Sequence, residues 1–274
     1  MNNEIDTISI LGCGWLGFPL ALFLKEKGYH VKGSVRNENH IDQLKKSNIE
    51  AHYINFSPKI NPDYSADFFN TSLLFINIPP GRKNPDKFYY LKIISNIIDK
   101  IKLFNIPNIF FISSTSVYPD INNIVNEEMN LIPDKESGNI LLKSEQLLMD
   151  EFNNSVSIIR FGGLIGADRN PARFLAGKQQ LQNAGAPVNL IHIDDCINII
   201  EKLISYKKRR QVYNACMPEH PIRKDFYSKA AQKYNLDLPV FLTDENPHYK
   251  IVDSSSLIND LKYRFIYKNP FDCI

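Results

Sequence analysis

Long apolar runs, metal-like cysteine spacings and an excess of one charge are all missing from this sequence. No apolar run approaches the roughly 18–20 residues that span a bilayer, and the polar first residues lack the apolar core of a signal peptide. The cysteines are Cys13, Cys196, Cys216 and Cys273, and their spacing predicts reduced thiols and no metal site. A net charge of +2 gives no reason to expect nucleic acid as a partner. These absences predict a soluble, cytoplasmic protein without a membrane partner.

Apolar strand-like segments are present instead, and they alternate with helical ones along all 274 residues. The segments 72–78 and 108–112 are almost continuously apolar, which is typical of parallel strands covered on both faces. The pattern predicts an α/β fold with a doubly wound parallel sheet, the Rossmann arrangement. We expect a dinucleotide-binding domain over 1–161 and a small C-terminal substrate-binding lobe over 162–274, interleaved with the core. The strand signals that support this sheet lie at 5–11, 29–36, 50–56, 72–78, 108–112 and 155–161.

A glycine turn, Gly-Cys-Gly-Trp-Leu-Gly at 12–17, joins the first strand to a helical run. Gly12 allows a tight turn, Gly14 lets a pyrophosphate approach the backbone, and Gly17 lets the helix pack on the strand. The N–H groups around Trp15 and Leu16 open that helix and would face the phosphates. A tight strand-to-helix turn without a ligand is the alternative reading.

The ends of the second and fourth strands border the same predicted cofactor site. Ser34 and Arg36 end the second strand, and no carboxylate follows before Glu38. A carboxylate would repel a 2′-phosphate, whereas Arg36 and Ser34 would hold one, so the pattern favours NADP(H) while NAD(H) is possible. A solvated Arg36 is the alternative. Ile78 and Pro79, in a stretch that runs to residue 82, should flank the cofactor.

Hydroxyl side chains follow the fifth strand in the run Ser-Ser-Thr-Ser-Val-Tyr at 113–118. Their position at the carboxyl end of a strand is where catalytic residues would be expected, although serine and threonine also cap turns.

The rest of the sequence predicts loops at 58–64 and 120–133, a helix at 139–152, and a helix capped by Asp194 or Asp195. Arg169 and Arg173 could bind a substrate phosphate or simply be solvated.

Several motifs carry a resemblance to a known family. They are the glycine turn, the 113–118 stretch, Arg-Phe-Gly-Gly-Leu-Ile-Gly at 160–166, Ile-His-Ile-Asp-Asp at 191–195, and Val-Tyr-Asn at 212–214. Together they make the chain similar to the short-chain dehydrogenase/reductase superfamily, in its extended or atypical branch. It most resembles NAD(P)-dependent nucleoside-diphosphate-sugar epimerases and dehydratases that open with the same glycine turn.

The resemblance implies site residues. Ser114 matches the family's serine or threonine, which helps to hold the substrate oxygen, and Lys143 matches the lysine that holds the nicotinamide ribose. Ser113 would lie beside the cofactor. The family's acid/base tyrosine falls at Asn139, and asparagine cannot replace a phenol near neutral pH. Tyr118 is a nearby substitute, with packing as its alternative role.

His192 has two readings. It could be a replacement acid/base, because the pKa of histidine lies near neutrality. The resemblance favours a structural hydrogen bond before Asp194. The sequence thus predicts either an NADP(H)-favouring oxidoreductase or epimerase-like enzyme, or a non-catalytic NADP(H)-binding sensor. A small-molecule substrate, such as a sugar nucleotide or another carbonyl compound, and a homodimer are the partners that the resemblance implies.

Overall fold

The computed structural model describes residues 5–55, 62–81, 88–130, 132–166, 168–243 and 246–274, without the side chains of 62–65. The helices are α1 (Gly17–Glu26), α2 (Ile41–Lys46), α3 (Pro62–Phe69), α4 (Tyr89–Phe104), α5 (Glu136–Phe152), α6 (Ala172–Leu175), α7 (Ile193–Ser205), α8 (Arg223–Lys233) and α9 (Ser255–Leu261). The strands are β1 (Thr7–Leu11), β2 (His30–Val35), β3 (Glu50–Tyr53), β4 (Leu73–Ile76), β5 (Ile109–Ser114), β6 (Asn123–Val125), β7 (Val156–Phe161), β8 (Gly163–Ile165), β9 (Leu190–His192), β10 (Val212–Ala215) and β11 (Lys250–Val252).

The central sheet has seven parallel strands in the order β10-β7-β5-β4-β1-β2-β3. From β1 the chain builds β2 and β3 on one side and β4, β5 and β7 on the other, so the order reverses beside β1. Ile10 pairs with Gly33 of β2 and with Phe75 of β4. All four residues of β4 are buried, as expected for a strand covered on both faces. This architecture confirms the predicted doubly wound α/β fold.

Two compact units divide the chain. Unit 1 comprises 1–113, 139–159 and 207–211, and unit 2 comprises 114–138, 160–206 and 212–274. Unit 1 carries the glycine turn and most of the central sheet. Unit 2 contains two small parallel sheets, β8-β9 and β11-β6. The division into 1–161 and 162–274 remains a prediction.

Three local predictions differ from the structure. The expected loop around Pro62 and Tyr64 is helix α3, because proline suits the first position of a helix, where its missing N–H has no partner to lose. The part of that loop around Pro58 lies outside the described residues. The expected loop at 120–133 contains β6, which pairs with β11. Helix α7 is capped by His192 rather than by Asp194 or Asp195.

The remaining boundaries shift by a few residues. Helix α5 begins at Glu136 instead of residue 139, and β5 extends to Ser114. Among the described helices, none combines the length and the apolar character that crossing a bilayer requires.

Candidate functional site

The glycine turn between β1 and α1 is tightly packed at two glycines and open at the third. Gly12 has φ +103°, and a Cβ there would lie 2.7 Å from the Asn77 carbonyl oxygen. A Cβ at Gly17 would collide with the Gly12 carbonyl oxygen. Gly14 is exposed, and a Cβ there would meet no atom within 4 Å. The backbone is therefore closed towards the protein and accessible from outside at Gly14, where a phosphate would approach.

Neighbouring strands hold this turn in place. The Ser34 hydroxyl accepts a hydrogen bond from the Gly12 N–H at 3.0 Å, and the Ser34 carbonyl accepts one from the Cys13 N–H at 2.8 Å. On the other side, Asn77 Nδ2 donates to the Gly12 carbonyl at 3.0 Å. Ser34 is buried, so its hydroxyl supports the turn from below. A contact of Ser34 with a 2′-phosphate stays a prediction.

The first turn of α1 adds the groups that an anion needs. The helix begins at Gly17 with Leu16 as its N-cap, and its first turn contains no acidic side chain. The Phe18 N–H donates to the Gly14 carbonyl at 2.9 Å and Pro19 has no N–H. An anion would therefore meet the N–H groups around Trp15 and Leu16, where the helix dipole is positive. Leu16 is buried, whereas Trp15 is partly exposed. The turn can thus receive a pyrophosphate without a competing carboxylate.

Arg36 lies one residue beyond β2 and is exposed. Exposure at the carboxyl end of β2, next to the strand that carries the glycine turn, leaves its guanidinium accessible to a ligand. The next carboxylate along the chain, Glu38, lies in a 3₁₀ helix at 38–40. The position and the charge of Arg36 are therefore compatible with binding of the 2′-phosphate of NADP(H).

Ile78 and Pro79 follow β4 at its carboxyl end. The Ile78 side chain would lie 3.1 Å from a Cβ at Gly12, which places it against the glycine turn. Its carbonyl accepts a hydrogen bond from the Tyr90 hydroxyl at 2.7 Å, and Pro79 is exposed. Both residues therefore lie where the fold would present them to a cofactor. Arg82, at the end of that stretch, lies outside the described residues.

Ser113, near the end of β5, hydrogen-bonds through its hydroxyl to a buried acidic side chain. It donates a short hydrogen bond to Glu145 Oε1 of α5, and both side chains are buried. Sequence reasoning missed Glu145. Its spacing from Leu141 and Leu148, four and three residues away, was the available signal, because that spacing places all three on one helix face.

Lys143 and Asn139 lie one turn apart on the exposed face of α5. Lys143 precedes Glu145 by two residues, which is a rotation of about 200° around a helix. Lys143 therefore lies on a different side of α5 from Glu145, which accepts the Ser113 hydroxyl. A catalytic role for Lys143 remains a prediction.

Ser114 belongs to unit 2 and caps a short 3₁₀ helix at 115–117. Its hydroxyl accepts a hydrogen bond from the Ser116 N–H at 3.1 Å. Ser114 is partly exposed, so its hydroxyl retains a proton to donate and an accessible surface. The turn-capping alternative is therefore observed, and it is compatible with contact to a ligand.

Tyr118 is part of a buried polar network. Its hydroxyl donates to Asn214 Oδ1 at 2.8 Å and accepts from Arg160 Nη1 at 2.8 Å. Burial raises the pKa of Tyr118 to about 12, although the Arg160 guanidinium opposes this shift. A phenol with this pKa and these partners is a poor acid/base near neutral pH, so the structure favours packing for Tyr118. Arg160, a buried charged residue of β7, is a member of this network that sequence analysis left without a role.

His192 has a structural partner. Its Nδ1 accepts a hydrogen bond from the Asp194 N–H at 3.3 Å as the cap of α7, and its ring packs on Tyr267 with centroids 4.2 Å apart. Gly166 is tightly packed against the same imidazole. The expected structural hydrogen bond is therefore present.

Arg169 and Arg173 are exposed, which agrees both with binding of a substrate phosphate and with simple solvation.

Comparisons with known proteins give relatives over the whole length. No family model matches the sequence. Protein YeeZ of Escherichia coli K12 is 34% identical over 266 residues, which cover 96% of this chain and 97% of YeeZ. UDP-glucuronic acid 4-epimerase from Bacillus cereus, solved in complex with NAD, has a TM-score of 0.81 at 20% identity and covers 97% of this chain and 95% of its own. A functionally unknown conserved protein from Silicibacter pomeroyi DSS has a TM-score of 0.77 at 21% identity, over 98% and 96%.

The two kinds of comparison agree with the geometry. The solved epimerase shares the Rossmann-like fold of this chain, and the match to YeeZ covers 96% of this chain and 97% of YeeZ. The chain belongs to the family of protein YeeZ and has the fold of the solved NAD-dependent epimerases.

Proposed function

We propose that this protein binds a nicotinamide dinucleotide, prefers NADP(H) to NAD(H), and uses it in oxidoreductase or sugar-nucleotide epimerase chemistry. The observation that carries the proposal is the glycine turn. Its backbone is closed on the protein side by Gly12 and Gly17 and is accessible at Gly14. A Cβ at Gly14 would project into space that a pyrophosphate needs, so the residues present fit the cofactor.

Each part of the cofactor has a proposed partner. The N–H groups at the start of α1, around Trp15 and Leu16, would bind the pyrophosphate. Arg36 would form a charge-assisted pair with the 2′-phosphate, and Ile78 and Pro79 would contact the nucleotide from the end of β4. Ser113 would contribute through its place at the end of β5, with its hydroxyl held by Glu145.

The proposed chemistry uses few groups of this chain. When bound, the nicotinamide supplies a carbon that accepts or donates a hydride. Ser114 would donate its hydroxyl hydrogen to an oxygen of the substrate, because its oxygen already accepts the Ser116 N–H. Lys143 would hold the nicotinamide ribose, as in the related family.

The substrate class is proposed from the neighbours. The Bacillus cereus epimerase was also solved with UDP-glucuronic acid and NAD, at the same TM-score of 0.81. Its fold covers 97% of this chain, so a sugar nucleotide is the first substrate class to test. The homodimer remains a prediction.

A second function, NADP(H) binding without hydride transfer, is favoured by one observation. Asn139 has no phenol, and both Asn139 and Lys143 lie on the exposed face of α5. A protein of this kind would report the redox state of the nicotinamide pool through binding alone. The two functions share the glycine turn, so only a measurement of turnover separates them.

The test is incubation of the full chain with UDP-glucuronic acid and either NADP or NAD, followed by separation of the sugar nucleotides. Formation of an epimer or an oxidised sugar that is lost in Ser114→Ala supports the enzyme. Ser116→Ala is the matched control, because its backbone N–H remains. Tight cofactor binding without any product from a panel of UDP-sugars, and gain of product in Asn139→Tyr, would support the binding protein instead.

A further inference from the structure

We propose that Glu50, His52 and Asp67 form a binding site for a divalent cation of the zinc class. The three residues lie in unit 1, at the outer strand β3 and near the end of α3. Each offers one ligand atom, and these atoms all lie within 4.8 Å of one another. The cofactor role proposed for the glycine turn uses none of them.

The distances suit a site that closes around an ion. Glu50 Oε1 lies 2.9 Å from His52 Nε2, and His52 Nε2 lies 3.9 Å from Asp67 Oδ2. Ligand atoms around tetrahedral zinc are about 3.3–3.6 Å apart, because each bond is about 2.0–2.2 Å long. The Glu50 and His52 ligand atoms would therefore move slightly apart, and the Asp67 side chain, which is 65% exposed, would rotate slightly inwards. Water would complete the coordination.

Two neighbouring side chains orient the ligands. His30 Nε2 lies 2.9 Å from Glu50 Oε2, the oxygen that does not face His52. The His52 ring packs edge-on against Phe68, with centroids 5.3 Å apart, which fixes the imidazole. Outer groups that hold a carboxylate and an imidazole in this way are typical of metal sites.

Lys32 is the group that competes with a cation. Its ammonium lies 3.1 Å from Asp67 Oδ2 and 3.9 Å from Glu50 Oε1, and the residue is buried. The ammonium also donates to the carbonyls of Asp67 at 2.7 Å and Asn70 at 3.4 Å. It therefore keeps two acceptors when the Asp67 carboxylate turns to the metal, while its charge lowers the affinity of the site.

The ligand set selects the metal. One imidazole and two carboxylates suit zinc and related transition metals better than magnesium, which prefers oxygen ligands alone. A cavity of about 330 Å³ lies on the side of Glu50 that contacts His30, and Lys25, Tyr29 and Asn48 also line it. Solvent reaches the cluster itself at the exposed Asp67 side chain.

The experiment is calorimetric titration of the full, metal-free chain with zinc chloride at pH 7.5, with magnesium chloride as a comparison. His52→Phe keeps a ring against Phe68 and removes the nitrogen ligand. Asp67→Asn keeps the size of the side chain and removes its charge. His40→Ala, which removes an exposed histidine outside the cluster, is the matched control. The melting temperature of each variant without metal shows that it folds.

We expect one zinc per chain, an association constant at least about tenfold lower in His52→Phe and Asp67→Asn, and no change in His40→Ala. Zinc should also raise the melting temperature of the wild type and not that of His52→Phe, since an ion that binds only the folded state stabilises it. Absence of zinc binding overturns the proposal. Equal binding in His52→Phe would place the ion elsewhere and overturn it as well.

Discussion

At the scale of single residues, the glycines of the glycine turn differ in how tightly the protein packs around them. Gly17 is required by its contact with the Gly12 carbonyl, whereas Gly14 touches nothing that a Cβ would displace. Gly17 thus serves the fold, and Gly14 is the glycine that we propose serves the ligand. Sequence spacing predicted all three glycines, but only the packing shows which of them the protein itself needs.

Alanine substitutions should separate these tasks. Gly14→Ala should leave the free energy of unfolding within about 0.5 kcal/mol of the wild type and weaken NADPH binding at least tenfold, because its methyl group occupies the pyrophosphate position. Gly17→Ala should destabilise the fold by about 1–3 kcal/mol through overpacking. Urea unfolding and nicotinamide fluorescence measure both effects. A Gly14→Ala variant that binds NADPH normally would contradict the proposed approach of the phosphate.

Arg36 is the proposed determinant of cofactor choice. Arg36→Ala should raise the dissociation constant for NADPH at least tenfold and leave that for NADH unchanged, because only NADPH has a 2′-phosphate. Lys45→Ala, an exposed cation on α2, is the control. Parallel loss of both affinities would show that Arg36 supports the turn rather than the phosphate.

At the scale of elements, α5 has an inner and an outer face with different chemistry. The inner face carries Glu145, which accepts the Ser113 hydroxyl, and the outer face carries Asn139 and Lys143. The family pattern predicted Lys143, but a pattern of four-residue spacing does not state which face of the helix meets the sheet. That orientation follows from the burial of Leu141, Glu145 and Leu148 together.

Removal of the Ser113 hydroxyl should lower the free energy of unfolding. Ser113→Ala leaves the buried Glu145 carboxylate without this donor, so we expect destabilisation of about 1–3 kcal/mol. Lys143→Ala, on the exposed face, should change stability by less than about 0.5 kcal/mol. Chemical denaturation compares the two. Equal stability of both variants would contradict the tight coupling of β5 to α5.

Several elements could be predicted from sequence, and others could not for identifiable reasons. Continuous apolar runs predicted β4 and β5 because both faces of these strands are buried. Pro62 was interpreted as a loop signal, although proline is also favoured at a helix start. The cap of α7 was assigned to an aspartate, since aspartate is a commoner cap than His192, whose role depends on its contacts with Gly166 and Tyr267.

For the whole molecule, one partly buried acid should make the free energy of unfolding depend on pH. Burial raises the pKa of the Glu127 carboxyl above its usual range. The folded state therefore keeps a proton at pH values where the unfolded chain, with a pKa of about 4.3, has lost it. The stability that Glu127 contributes is fully present below that pH and falls as pH rises through the folded pKa.

Glu127→Gln should remove this dependence and keep an acceptor for the Asn214 N–H, which Glu127 Oε1 binds at 2.8 Å. The free energy of unfolding of the wild type should fall relative to that of Glu127→Gln between pH 4 and pH 7. Glu128→Gln, an exposed neighbour, should behave like the wild type. A constant difference between wild type and Glu127→Gln across this range would contradict the raised pKa.

The fold of the whole molecule could be predicted from the sequence, because the glycine turn, the order of the strand signals and the apolar periodicity all indicated the same sheet. The buried network of Tyr118, Arg160 and Asn214 was not, because residues separated by up to 96 positions meet only after folding. The His52 cluster was missed for the same reason. Its three residues follow no spacing that predicts a metal.

Titration of the purified chain with NADPH and with NADH, followed by nicotinamide fluorescence, measures directly whether the protein binds a nicotinamide cofactor and which one it prefers. We expect saturable binding of both cofactors, with NADPH at least tenfold tighter. Equal affinities would remove Arg36 as the partner of a 2′-phosphate. Failure of both cofactors to bind would contradict the proposed function, and the glycine turn would then serve the fold alone.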